Sequence, residues 1–582
     1  VRVTAGGLVI TAGVSTFTDD VKVNSTLTAS EGLHVSAGIV TVASQLNVGS
    51  NIKVGSAGVV TATSFKGDGS GLTGVSAGLT TDVYFNTSGG IAALDSMSSG
   101  AALNNTAIGF NALTATTTGD YNTGIGASAL AANTTAQNNT AIGNYAMLAN
   151  TTGYNCVAVG AYALDASNGE GNTAIGYGAL TENTTGVNNT AIGRDALDAN
   201  TTADANTAVG RAALGANSTG HSNVAVGCHA MEDNTTAVYN TALGYQALRN
   251  NTIGTRNVAV GNNALDTNTE GEYNVAVGRN ALYSNIDADY NSAVGNSALY
   301  ANTTGHSNAA VGNNALAANT TGDNNVAVGK NALDAATTAD YNCAFGRDAL
   351  GAVTTQGQLT AFGDSALAQN TTGAQNTSFG FQAAYGVTTG GSNTAVGYAA
   401  LTTTSTGENN TAIGRDALYY GNGNDNTAVG NEALENNTAS DNTAVGSHAL
   451  TANTTGTYNV AVGSAALDAN TTGLENTSVG FNALTDNTAG SRNVAVGKNA
   501  LMDCTVSSCT GVGFEALKLN ITGAFNTGIG CSSLTANTTG GYNVAIGYDA
   551  LSTNTTGDLN VAVGYNALKA QSANCYNTAC GG

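Results

Sequence analysis

The sequence predicts an all-β fold, a repetitive parallel β-solenoid or β-roll with 17-residue coils, preceded by a short-strand β region. Three observations predict it. A phrase such as NTAIGYGALTENTTGVNNTAIG, residues 172–193, recurs with small edits to the end of the chain. The recurring unit is too short for two helices and a turn. Its best-kept segment, Asn-Thr-Ala-Ile/Val-Gly, alternates and carries β-branched residues, which suits a strand.

The repeat is measured from the Gly of Ala-Ile/Val-Gly, taken as position 0. That Gly stands at Gly109, Gly126, Gly143 and onward to Gly581, in 28 steps of 17 residues except four of 16. The consensus is Asn(−4), Thr/Val(−3), Ala(−2), Ile/Val(−1), Gly(0), Ala(+3), Leu(+4), Asn(+7), Thr(+8), Thr(+9) and Gly(+10). All four deletions follow the Leu, after Leu164, Leu418, Leu434 and Leu501. Turns tolerate deletions and packed elements do not. Asn(−4) to Leu(+4) therefore reads as the structured part and Asn-Thr-Thr-Gly as the turn, with Gly(+10) expected at positive φ. The segment from +1 to +4 fits either a second short strand or a helical turn. Neighbouring coils about 4.8 Å apart would make a rod of roughly 130 Å.

Position −1 is apolar in every coil and +4 is nearly always Leu, so the expected core includes Ile175, Leu180, Ile192, Leu197, Phe345, Phe362 and Phe379. One coil pairs Phe379 at −1 with Ala384 at +4, where Ile/Val and Leu are usual. That reads as large-for-small compensation inside one interior. Phe345, Phe362 and Phe379 fall in successive coils, which predicts an aromatic stack. Identical residues stack in a solenoid, so Asn122, Asn139, Asn172, Asn189, Asn206 and Asn223 at −4 are expected to form a structural ladder. Only Cys156, Leu359 and Cys509 interrupt that column. Two large aliphatics per coil make a thin core. Coils are therefore expected to pack against other copies, most simply as a parallel homotrimeric rod.

Composition narrows the function classes. The chain has 582 residues, no Pro and a formal net charge of −22. A chain without Pro keeps every backbone N–H for ladders. The acidic balance disfavours nucleic acid and anionic lipid as partners. No apolar run approaches membrane-spanning length, so no membrane insertion is expected. Eight Cys occupy different slots of the repeat, with no CxxC and only five His, which argues against a zinc site. No metal or other cofactor is expected. The spacing of Cys504 and Cys509 permits a small disulfide loop without requiring one.

Residues 1–80 lack the 17-residue unit. GLVITAGVST (7–16), GLHVSAGIVT (32–41) and NIKVGSAGVVT (51–61) read as short strands with Gly turns. The stretch FKGDGSGLTGV (65–75) has one Asp, Asp68, too few for a calcium loop, and its glycines lack a phosphate-loop context. Residues 81–104 read as a Ser/Gly-rich junction, and 105–582 as the solenoid. The first residues, Val1-Arg2-Val3, suggest a processed or partial chain. The array stops at NTACGG, an uncapped end that further chain or another protein is expected to cover.

The segments VVTATSFKGDGSGLTGV (59–75) and GVSTFTDDVKV (13–23) resemble parts of phage, especially cyanophage, virion fibre proteins. The NTAIGxxAL…NTTG array resembles tail and surface fibres that often precede a self-cleaving chaperone domain. Its Ala-Ile/Val-Gly-x-x-Ala core also resembles the head repeats of trimeric autotransporter adhesins of the YadA type. Those repeats are shorter than 17 residues and form left-handed trimeric β-rolls. The resemblance implies a structural fibre in a phage tail or virion that serves host attachment, with other virion or fibre proteins held by the N-terminal region. The alternative it implies is a bacterial surface adhesin or extracellular filament.

Candidate binding surfaces lie at the variable positions. GRDAL recurs at Arg194-Asp195, Arg347-Asp348 and Arg415-Asp416, whole numbers of repeats apart, and reads as solubilising pairs of small energetic value. A second stripe is Tyr at −5: Tyr121, Tyr239, Tyr273, Tyr290, Tyr341, Tyr458, Tyr542 and Tyr576. Such a row could stack on the sugar rings of a host glycan, or simply pack along the edge. No enzyme is expected, because carboxylates are scattered singly and the His occupy free slots with no Ser-His-Asp set. An ice-binding face is disfavoured, because adjacent Thr(+8) and Thr(+9) would point to opposite sides of a strand. Many Asn-Thr-Thr triplets match a glycosylation sequon, which matters only where Asn is glycosylated.

Overall fold

The computed structural model describes residues 80–82, 84–96 and 102–581, all within one compact unit, Ser76–Gly582. The short strands expected before residue 80 and the 65–75 loop lie outside the described residues. The described chain is an all-β parallel solenoid of about 29 coils of roughly 17 residues. Among these residues there is no helix.

Each coil contributes one three-residue strand at −3 to −1, for example β7 (Thr173–Ile175), β8 (Thr190–Ile192) and β9 (Thr207–Val209). Consecutive strands pair parallel and in register, so Thr173, Ala174 and Ile175 face Thr190, Ala191 and Ile192. The sole antiparallel pair among the described strands opens the sheet, between β1 (Thr80–Thr81) and β2 (Thr87–Gly89). β2 then pairs parallel with β3 (Thr106–Ile108). Part of the segment expected as a junction, Asn86 to Leu94, is therefore a further coil: Gly90 has the positive φ of a position-0 glycine, and Asn105 N–H donates to Asn86 Oδ1 at 2.8 Å.

Residues +1 to +6 are neither a second strand nor a helix. They form a run of turns in which φ is positive at 0, +2 and +4, as at Gly193 (141°), Asp195 (56°) and Leu197 (51°). A bulky Leu in the left-handed region is costly in isolation. Here the side chain of Leu197 is wholly buried and its N–H donates to Ala213 O of the next coil at 3.0 Å. Asp195 N–H reaches back to Tyr177 O at 2.9 Å and Gly193 N–H to Ile175 O at 2.7 Å. Backbone donors thus run to both neighbours around the coil, which is why a chain without Pro suits it.

The interior differs from expectation in which residues fill it. Leu180 and Leu197 are fully buried together with Ala(−2) and Ala(+3), such as Ala174 and Ala179. Ile175 and Ile192 instead point outward, 38% and 37% exposed. Phe345, Phe362 and Phe379 also lie on the outer face, where they stack with ring centroids 4.5 and 4.9 Å apart and Phe379 is 41% exposed. The cause is the two-residue period of a strand: −2 faces in, so −3 and −1 face out. A coil this narrow admits only small residues at −2, Ala in most coils and Gly or Ser in a few such as Gly124 and Ser378, and the larger side chains are left outside. The Phe379–Ala384 pair is therefore no compensation within one interior. Val387, at +7 of the same coil, is the residue buried in the core with Ala384.

Two asparagine ladders line the interior. At −4, the backbone N–H of Asn189 donates to Asn172 Oδ1 (2.9 Å) and Asn172 Nδ2 donates to Gly186 O (2.8 Å). Asn122, Asn139, Asn206 and Asn223 repeat this pattern of side chain to backbone. The amide-to-amide column lies at +7, read from sequence only as turn. There Asn200 Nδ2 donates to Asn183 Oδ1 at 2.8 Å and Asn217 Nδ2 to Asn200 Oδ1 at 3.0 Å, all fully buried. Thr(+8) adds a third row, with Thr184 N and Oγ1 both donating to Thr201 O. Gly(+10) does not adopt positive φ, as at Gly186; the strained glycine is the one at position 0.

Candidate functional surfaces

Three outward rows emerge from this register. The first is the strand face. Its −1 residues are Ile, Val, Leu or Phe in every full coil, and those at Ile142, Leu243, Val311 and Ile546 are exposed. The second is the +1 column, which sequence reasoning treated only as variable. It carries the exposed rings of Tyr177, Tyr245, Phe381, Tyr398, Tyr548 and Tyr565. Phe381 stacks on Tyr398 and Tyr548 on Tyr565, each with centroids 5.4 Å apart. Listing the residues of one slot down the array would have revealed this column.

The third row is the Tyr stripe at −5. Tyr121, Tyr239, Tyr273, Tyr290, Tyr341, Tyr458, Tyr542 and Tyr576 are all exposed and all in the left-handed region. They are not eight equivalent platforms. Tyr273 and Tyr290 stack face to face at 5.1 Å, and Arg256 lies over Tyr273 at 5.2 Å and Tyr239 at 5.7 Å. Phe525 likewise stacks on Tyr542 at 4.9 Å. Faces already covered by neighbours are closed to a sugar, so the rings of Tyr121, Tyr341, Tyr458 and Tyr576, with no ring or cation over them among the described residues, are the most available.

The charged residues serve the coil stack. Arg347 pairs with Asp348 at 3.3 Å and with Asp364 of the next coil at 2.9 Å. Arg194–Asp195 and Arg415–Asp416 are close as well, at 2.8 and 3.3 Å, and all three Arg side chains are more than half exposed. Carboxylates at −6 cap a free amide of the preceding coil: Asp204 Oδ1 accepts Val187 N–H at 2.8 Å, Asp289 accepts Glu272 N–H and Asp340 accepts Asp323 N–H, both at 2.7 Å. At +5 and +6, burial raises Asp165, Asp198, Asp233, Asp266, Asp334, Glu435 and Asp503 above the usual carboxylate range; neighbouring carboxylates such as Glu182 beside Asp165 add to it.

No protein-family model, curated protein or solved structure matches this chain. The functional reading of the array therefore rests on its surfaces. Among the described residues, no three His, Cys, Asp or Glu side chains are grouped to hold a metal ion, and no helix is long and apolar enough to cross a membrane.

Cys504 and Cys509 take the +7 and −4 places of one turn and are both fully buried. The neighbouring Cys509 thiol and burial raise Cys504, and the Cys504 thiol beside it lowers Cys509.

Proposed function

We propose that the array is the shaft of an extracellular structural fibre, a tail or virion fibre that carries a host-binding element, and that three parallel copies form it. The observation that carries this reading is the outward aliphatic row at −1, which continues from coil to coil. A contiguous apolar stripe of that length marks an interaction surface. Its partner must present apolar residues at the same coil-to-coil spacing, and a second copy of this chain meets that demand. Three copies close the contact around an axis and leave no fourth face open. In this reading the role is reach and rigidity; the charge pairs and exposed tyrosines stay on the solvent side, where Tyr121, Tyr341 and Tyr458 offer ring faces to a host-surface glycan. The resemblance of its core motif to adhesin heads supports a second setting for the same rod, a bacterial cell-surface adhesin or filament.

Sedimentation equilibrium of the full chain tests the assembly. A mass three times that of the chain is expected, and a stable monomer overturns the proposal. Charging the outward face with Ile175→Asp and Ile192→Asp should weaken association while the far-ultraviolet circular dichroism stays unchanged. Negative-stain images of the source particle then separate a virion fibre from a cell-surface one.

A further inference from the structure

The structure assigns Cys504 and Cys509 as a covalent cross-link site: we infer that these two thiols close into a disulfide that pins one turn of the solenoid from within. In two turns the +7 residue and the following −4 residue hydrogen-bond to each other across the base of the turn. Asn520 Oδ1 and Asn526 Nδ2 meet at 2.9 Å there. So do Asn437 and Asn442 at 3.3 Å, in a shortened coil with the same five-residue separation as Cys504 and Cys509.

In most turns that lose an asparagine only one of the two positions changes, as in Asn150 with Cys156 and Val387 with Asn393. Two turns replace both asparagines together. One substitutes an apolar pair, Val353 and Leu359; the other substitutes Cys504 and Cys509. Both cysteines are fully buried, and Asn520 Nδ2 of the next coil lies 3.6 Å from each sulfur. The remaining contacts are weak ones to carbonyls: Cys504 Sγ to Val506 O at 3.7 Å, and Cys509 Sγ to Ser507 O at 3.9 Å and Gly523 O at 3.3 Å. A thiol is a poor substitute for an amide in a hydrogen-bonded ladder. A disulfide removes both donors from the interior and restores by covalency the tie across the turn.

The oxidant is a small-molecule disulfide of the glutathione class. The Cys509 thiolate attacks one of its sulfurs, forms a mixed disulfide and releases one thiolate. Cys504, deprotonated in turn, attacks the Cys509 sulfur and expels the second thiolate. Two protein thiols become one disulfide, and the oxidant becomes two thiols. Because the Asn520 coil covers both sulfurs, exchange occurs during folding, before that coil docks, and the finished bond is shielded from reductant.

The test uses the full chain, unfolded in guanidinium and refolded with either oxidised or reduced glutathione. Each sample is then denatured in excess N-ethylmaleimide and digested with trypsin. Lys498 and Lys518 bound a peptide, 499–518, that holds these two cysteines and no others. After oxidised refolding it should be unalkylated and two hydrogens lighter than the free dithiol; after reduced refolding it should carry two alkyl groups. Two alkyl groups under both conditions, or a link to another cysteine peptide, overturns the assignment. Cys504→Asn with Cys509→Asn, which returns both ladders, is the control. The guanidinium midpoint of the original chain should be higher after oxidised than after reduced refolding, and that of the double variant the same in both. Equal midpoints for the original chain would also count against the pin.

Discussion

Asn200 Nδ2 donates to Asn183 Oδ1 across the step from one coil to the next, at 2.8 Å and wholly out of water. Asn200 also accepts from Asn217 Nδ2, so this amide is both donor and acceptor in the column. Asn200→Ala leaves Asn183 Oδ1 without the donor it has now. An orphaned buried acceptor costs about 1–3 kcal/mol. In a solenoid each coil touches only its neighbours, so the loss stays local. Amide hydrogen exchange should quicken in the coils around Asn183 to Asn217 and stay unchanged around Asn459. Uniform quickening would refute this.

Asn370 shows the reverse case. It occupies +7 between Val353 and Val387 in the adjacent coils, and neither its Nδ2 nor its Oδ1 has a hydrogen-bond partner. Replacing an unsatisfied buried amide by an apolar group of similar size removes a standing penalty. Val already fits this slot in both neighbouring coils. Asn370→Val should raise stability by about 1–2 kcal/mol, measured as a higher guanidinium midpoint. The same change at Asn200 should lower it.

Two glycines separate backbone strain from simple crowding. Gly193 at position 0 has φ 141°, and a Cβ there would lie 2.4 Å from Gly210 O. Gly186 at +10 has ordinary φ, and although a Cβ would also approach a carbonyl at 2.4 Å, Ala203, Ala237 and Ala288 occupy that slot elsewhere. Gly193→Ala should cost about 3 kcal/mol. Gly186→Ala should stay within about 0.5 kcal/mol. Thermal denaturation of the two variants side by side checks the contrast, and equal losses would refute it.

Period, coil length and the split between fixed and variable segments were legible in the sequence, because the four shortened coils mark where length is free. The direction of the strand was not. Size suggested that Ile175 and Ile192 fill the core, but in a three-residue strand alternation outranks size, and the small Ala174 and Ala191 face in. Asn183 and Asn200 were masked by their turn-like neighbours, since Asn-Thr-Thr-Gly reads as a surface turn whatever its first residue contacts. The coil at Gly90 was hidden by its 19-residue step to Gly109 and by Gly89 at −1.

The buried carboxylates set the pH response. Burial lifts the folded-state pKa of Asp165, Asp198, Asp233, Asp266, Asp334, Glu435 and Asp503 above their unfolded values. For an acid raised on folding, the folded state binds more protons than the unfolded state, so stability rises as pH falls through the window between the two values. Two lowered groups lose their contribution only at pH below the ordinary Asp and Glu range. Glu515 is lowered by its hydrogen bond from Lys518. Asp82 is lowered although burial works against it, because Asn86 Nδ2 and the N–H groups of Asn86 and Tyr84 donate to it. Above that range the lowered pair is ionised in both states, and protonation of the raised groups also relieves a net charge of −22. The melting temperature should therefore climb as pH is lowered from neutral to just above the ordinary Asp and Glu range. A steady fall over that interval would refute the prediction.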